Sequence, residues 1–127
     1  YKFNISKKDQ KRIKIIDNFY KEKTVQKKFT ESKMNKILYY DGKQAVIDIL
    51  NFQLIRSKKV DNTLIELKKN YENKLIPNMP VSADMLMTKF QISEGKQLGV
   101  KIKMIEDQWV ENNFQITDQQ VDNIMNN

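Results

Sequence analysis

The chain of 127 residues has no cysteine and no histidine. Their absence excludes a disulfide framework, a thiol nucleophile, a histidine base and the usual nitrogen and sulfur ligands of zinc. Any chemistry would fall to carboxylates, lysines or hydroxyls. Arginine is nearly absent too, with Arg12 and Arg56 the whole supply. Long apolar runs are missing: none approaches the roughly 18 residues that span a bilayer. No apolar core or small-residue cleavage site follows the basic, asparagine-rich start. A cytoplasmic chain with no membrane partner is therefore expected, and its start at Tyr1 rather than a methionine suggests a piece of something longer. Length allows one compact domain or two small helical units.

What is abundant is lysine. Basic residues number 23 against 16 acidic, a net charge of +7, which favours an anionic partner. Lysine attracts phosphate as a point charge, whereas base readout more often uses the arginine fork. The charge suggests tracking of a phosphate backbone before reading of sequence. A composition rich in lysine and asparagine throughout would give the same excess with no such partner.

Apolar spacing of three and four residues predicts helices almost everywhere and no strand long enough for a sheet. Ser6 is a candidate N-cap, with Asp9 placed to complete a capping box, for a first helix over about 7–21 carrying Ile13, Ile16, Phe19 and Tyr20. Val25, Phe29, Met34, Ile37 and Leu38 anchor a looser helical stretch in which Thr30 is a candidate cap. Asp41-Gly42 then punctuates the pattern. Asp41 is placed to cap a helix from Lys43 to about Ile55, with Ala45, Val46, Ile49 and Leu50 inward, joined by Ile47 and Phe52. Asp61 is a candidate cap for a helix over about 62–73 with Leu64, Leu67 and Tyr71 as its stripe. Pro77 and Pro80 impose extended backbone before each of them and mark a boundary. Beyond it come a short helix capped by Ser82, a turn at Gly95, a long helix through Leu98, Ile102, Ile105 and Trp109, and a last turn or two from Thr117. The expected fold class is all-α: an antiparallel helical body over 1–75 and a smaller C-terminal helical tail over 76–127.

Candidate contacts to phosphate are Lys7, Lys8, Lys11, Arg12 and Lys14 on the first helix, and Gly95, Lys96, Gly99, Lys101 and Lys103 around the glycine turn. Free N–H groups at a helix start beside Lys96 suit a single phosphate. The first set is equally the solvated face of an amphipathic helix, and Gly99 is equally a packing spot. A glycine inside a helix costs about 1 kcal/mol, which points to close approach by another helix or a phosphate backbone. Gly95-Lys96 lacks the order of a mononucleotide loop. Tyr39 and Tyr40 read as base-stacking or as rings in the core with hydroxyls at its rim. Trp109 reads as structural. No catalytic or metal-ligating residue is assigned, because no closely spaced carboxylate pair sits on a candidate strand.

The run from Ile76 to Phe114 resembles the C-terminal region of bacterial tRNA nucleotidyltransferases, the CCA-adding enzymes, and of the related bacterial poly(A) polymerases. Pro80-Val81, Asp84 to Leu86, Gly95-Lys96-Gln97-Leu98-Gly99, and Trp109-Val110 with Phe114 carry the similarity. Ser6 to Ile16 and Lys36 to Gly42 resemble the preceding helices more weakly. Ala83 stands near the family's signature glycine, and the spacing from Asp84 to Gly95 is longer than usual. The resemblance implies the body and tail of such a transferase, holding tRNA or other RNA. An N-terminal catalytic domain outside this chain would add CCA or adenosine to RNA 3′ ends with Mg2+ and CTP or ATP; no cofactor is implied for this portion. The other reading is a non-catalytic helical protein-interaction or scaffold module. A large exposed apolar patch with lysines spread evenly around it would distinguish that reading.

Overall fold

The computed structural model describes residues 5–21 and 29–127. Among the described residues are seven helices and no strand: α1 (Lys7–Lys21), α2 (Glu31–Asp41), α3 (Lys43–Arg56), α4 (Asn62–Glu72), α5 (Ala83–Phe90), α6 (Lys96–Glu111) and α7 (Asp118–Met125). The protein is all-α. Val25, expected as an apolar anchor, lies outside the described residues.

The chain divides into two compact units, Tyr1–Leu75 and Ile76–Asn127. In the first, α3 is the central helix, and α1, α2 and α4 each pack on it. Val46, Ile49 and Leu50 are fully buried, and Met34, Ile37 and Leu38 of α2 are buried with them. Each such side chain withdrawn from water contributes roughly 1.5–3 kcal/mol. Start signals are local. The Thr30 hydroxyl accepts from the Lys33 N–H, and the Asp61 carboxylate accepts from the Thr63 and Leu64 N–H groups. Ser6 accepts from the Asp9 N–H at 3.1 Å, but the Asp9 carboxylate makes no return bond and lies 3.7 Å from Arg12.

Asp41 does not cap α3. That position is Gly42, which makes no side-chain cap bond. Its N–H closes α2 by donating to the Ile37 and Leu38 carbonyls, and its φ of +95° lies where a side chain is strained. One glycine therefore ends one helix and starts the next.

In the second unit, Leu86 of α5, Leu98 and Ile105 of α6, and Val121 and Ile124 of α7 form the core, bordered by Met79, Val81, Met87 and Phe90 among others. Ser82 caps α5, and Thr117 with Gln120 forms a complete capping box for α7. Trp109 and Phe114 act at the end of α6. Asn113 has φ of +56°, the Phe114 N–H donates to the Trp109 carbonyl at 2.8 Å, and the two rings meet edge to face at 5.1 Å. This is a Schellman stop with its hydrophobic contact.

Candidate functional site

α1 and α3 carry more apolar side chains than the core of the first unit takes up. On α1 only Phe19 is buried, while Ile13 is 54% exposed. On α3, Phe52 is 39% and Ile55 82% exposed. Inward placement of Phe52, expected from spacing, is corrected: Ala45, Val46, Ile49 and Leu50 already fill the buried face of α3. The displaced residues gather in one place. Ile13, Ile16, Asp17, Tyr20, Phe52 and Arg56 line a groove of about 470 Å³. Ile13, Ile16 and Phe52 also line an adjoining hollow of about 350 Å³ that extends to Ile55 and Asn51.

The groove is braced by polar contacts at its edges. Arg12 donates from Nε and Nη2 to the two Asp48 oxygens, both at 2.8 Å, and Gln44 donates to Asp48 as well. The guanidinium holds the Asp48 carboxyl below its ordinary range, with burial opposing. The Tyr20 hydroxyl donates to Gln53 at 2.7 Å, and its ring packs against Phe52 at 5.1 Å. Burial pushes the Tyr20 phenol up, partly offset by Arg56. Arg56 lies over both rings, 5.0 Å from the Tyr20 centroid and 5.8 Å from that of Phe52. The result is a fixed apolar face with a guanidinium laid across it.

The phosphate candidates fare differently. Lys7, Lys8, Lys11 and Lys14 are exposed on α1, whereas Arg12 is committed to Asp48. Lys101 is corrected: it is buried, and its ammonium donates to the Ile124 and Asn127 carbonyls, tying down the end of α7. Lys103 sits between Glu106 and Asp107 at 3.5 and 3.3 Å. Gly95 and Lys96 are exposed at the start of α6, with Gly95 as N-cap. The close approach by another helix inferred at Gly99 is absent, since a Cβ there would meet nothing within 4 Å. Asp84 and Glu94 line the same groove as Gly95 and Gly99, which disfavours an anion there. Among the described residues no three carboxylates converge as metal ligands, and no helix is long and apolar enough to cross a membrane.

Sequence spacing missed a second cluster. Asn35 and Tyr71 are fully buried; the Tyr71 hydroxyl donates to Asn35 Oδ1 at 2.7 Å and approaches the Glu31 carbonyl at 3.1 Å, and Lys74 donates to the same Oδ1 at 2.9 Å. Burial raises the Tyr71 phenol and lowers the Lys74 ammonium. This polar cluster joins α2 to α4.

No family model, no curated protein and no solved structure matches the chain. That result corrects the classification drawn from the resemblance: transferase, nucleotidyltransferase, RNA-binding and RNA- or tRNA-processing attributes have no support, and the all-helical fold is what stands. The residues that carried the resemblance have local causes. Trp109 and Phe114 form a helix stop, and Gly95 starts α6.

Proposed function

We propose that this protein is a helical interaction module that docks a partner protein on the α1–α3 face. One observation carries the reading: Ile13, Phe52 and Ile55 are exposed together beside Ile16 and Tyr20, on a face the core does not use. Exposed apolar groups of this kind cost solubility unless something covers them, and contiguous ones mark interaction sites. Tyr20 and Arg56 belong to the residue types that most often dominate binding energy. The lysines support the same reading, because they are distributed over α1, α2, α3, α4, α5 and α6 and not confined to one element.

The reading is tested by selecting displayed helical peptides on the wild-type chain and measuring each binder again on an Ile13→Ser/Ile55→Ser variant. The expected outcome is binders that lose most of their affinity on the variant. Binders that hold wild-type and variant chains equally would place docking elsewhere and refute the proposal.

A further inference from the structure

The charges around the groove restrict what can occupy it. Three carboxylates border the two adjoining hollows, and each lies against a cation of the same unit, with Arg12 serving two of them. Asp48 takes both arms of Arg12, Asp9 lies 3.7 Å from that guanidinium, and Asp17 pairs with Lys21 at 3.1 Å. Arg56 is different. Its contacts are the faces of Tyr20 and Phe52, and among the described residues no carboxylate pairs with it. The groove therefore presents one guanidinium with no carboxylate partner among the described residues, held in place by two aromatic rings, and Lys58 and Lys59, which follow it closely in sequence, are exposed. A guanidinium stacked in this way has lost little of its hydrogen-bonding capacity. Its planar fork suits a carboxylate bound through two parallel bonds.

The shape of the groove bears on the occupant as well. Ile13, Ile16 and Tyr20 repeat at helical spacing on one wall, and Phe52 and Ile55 do so on the other. Two such rows form a channel that accepts the ridge of a third helix, whose apolar residues recur every three or four positions. Resting on the docking role proposed above, we infer that the partner is an amphipathic helix with an acidic flank: an apolar stripe fills the channel, and a glutamate or aspartate beside it pairs with Arg56. Arg56 then sets which helices are accepted, while the apolar rows supply most of the affinity.

The test uses the full chain and three synthetic amphipathic helices of about 18 residues, identical in their leucine stripe and flanked by glutamate, glutamine or lysine. Kd is measured for each against wild type, Arg56→Gln, and Ile13→Ser/Ile55→Ser, with circular dichroism confirming that all three proteins are folded. The glutamate helix should bind wild type about tenfold more tightly than the glutamine helix, equivalent to about 1.4 kcal/mol. The lysine helix should bind most weakly, and Arg56→Gln should erase the glutamate advantage. Equal binding of the glutamate and glutamine helices, with both weakened by Ile13→Ser/Ile55→Ser, would overturn the acidic preference and leave the docking role standing. Binding by none of the helices, or binding that ignores Ile13→Ser/Ile55→Ser, would overturn the docking role itself. Phosphatidylserine vesicles and a short single-stranded RNA serve as controls. Tighter binding of either one, dependent on Arg56 and Ile55, would overturn the inference of a protein partner.

Discussion

Ile49 and Ile55 lie on the same helix, less than two turns apart, and chemistry alone does not distinguish them. Ile49 is 0% and Ile55 82% exposed. Truncating Ile49 to alanine removes buried methyl groups and leaves a cavity beside Val46 and Leu50, a loss of about 2–5 kcal/mol. Truncating Ile55 removes surface that water already reaches, so its cost should stay within about 0.5 kcal/mol. Urea unfolding followed by circular dichroism measures both; the slope with denaturant should be unchanged, so that midpoint shifts report stability. A cost above about 1.5 kcal/mol for Ile55→Ala would show that this side chain is packed, and the argument for a free apolar face would fall. Binding should reverse the ranking. Ile55→Ala should weaken an amphipathic helix several-fold while leaving stability intact, which is how a surface kept for a partner differs from a core.

Three further outcomes follow from polar contacts. Tyr71→Phe deletes a buried donor to Asn35 and should cost about 1–2 kcal/mol in the same urea assay. Because burial raises the folded phenol above its ordinary value of 10.0, wild-type stability should fall as pH climbs beyond 10, a slope that Tyr71→Phe flattens. Lys101→Met should cost about 1.5–3 kcal/mol and speed amide exchange in α7, because the ammonium that holds the Ile124 and Asn127 carbonyls is gone. Asp48→Asn should destabilise the protein near neutral pH. The folded carboxyl is held below its ordinary value of 3.8, so the gap between variant and wild type should close as pH falls from about that value downward, as measured by thermal melts across an acid series.

Helices were legible in the sequence wherever the signal is local. Ser6, Thr30, Asp61 and Ser82 cap the helices they precede, since a short polar side chain beside the first free N–H groups acts through neighbours in the chain. Gly42 shows where that reasoning stops, because the residue before α3 is a glycine of positive φ and the Asp41 carboxylate does not cap the helix. The buried polar group of Asn35, Tyr71 and Lys74 joins residues far apart in sequence, and no pattern within one helix announces it. The α1–α3 face is an intermediate case. Ala45, Val46, Ile47, Ile49, Leu50, Phe52, Leu54 and Ile55 are too many for the one buried face of α3, and that surplus was a readable sign. Which members of it would be left outside depended on how α1 lies across α3. Trp109 and the turn at Gly95 were legible as structural, and together with Phe114 they form the two ends of α6.

The most direct test of a docking face is an amide chemical-shift titration of the isotopically labelled chain with the glutamate-flanked helix. Saturable shifts should concentrate in α1 from Ile13 to Tyr20 and in α3 from Asp48 to Arg56, and should disappear in Ile13→Ser/Ile55→Ser. Shifts that fall mainly on α5 to α7, or no shifts at all, would contradict docking on this face.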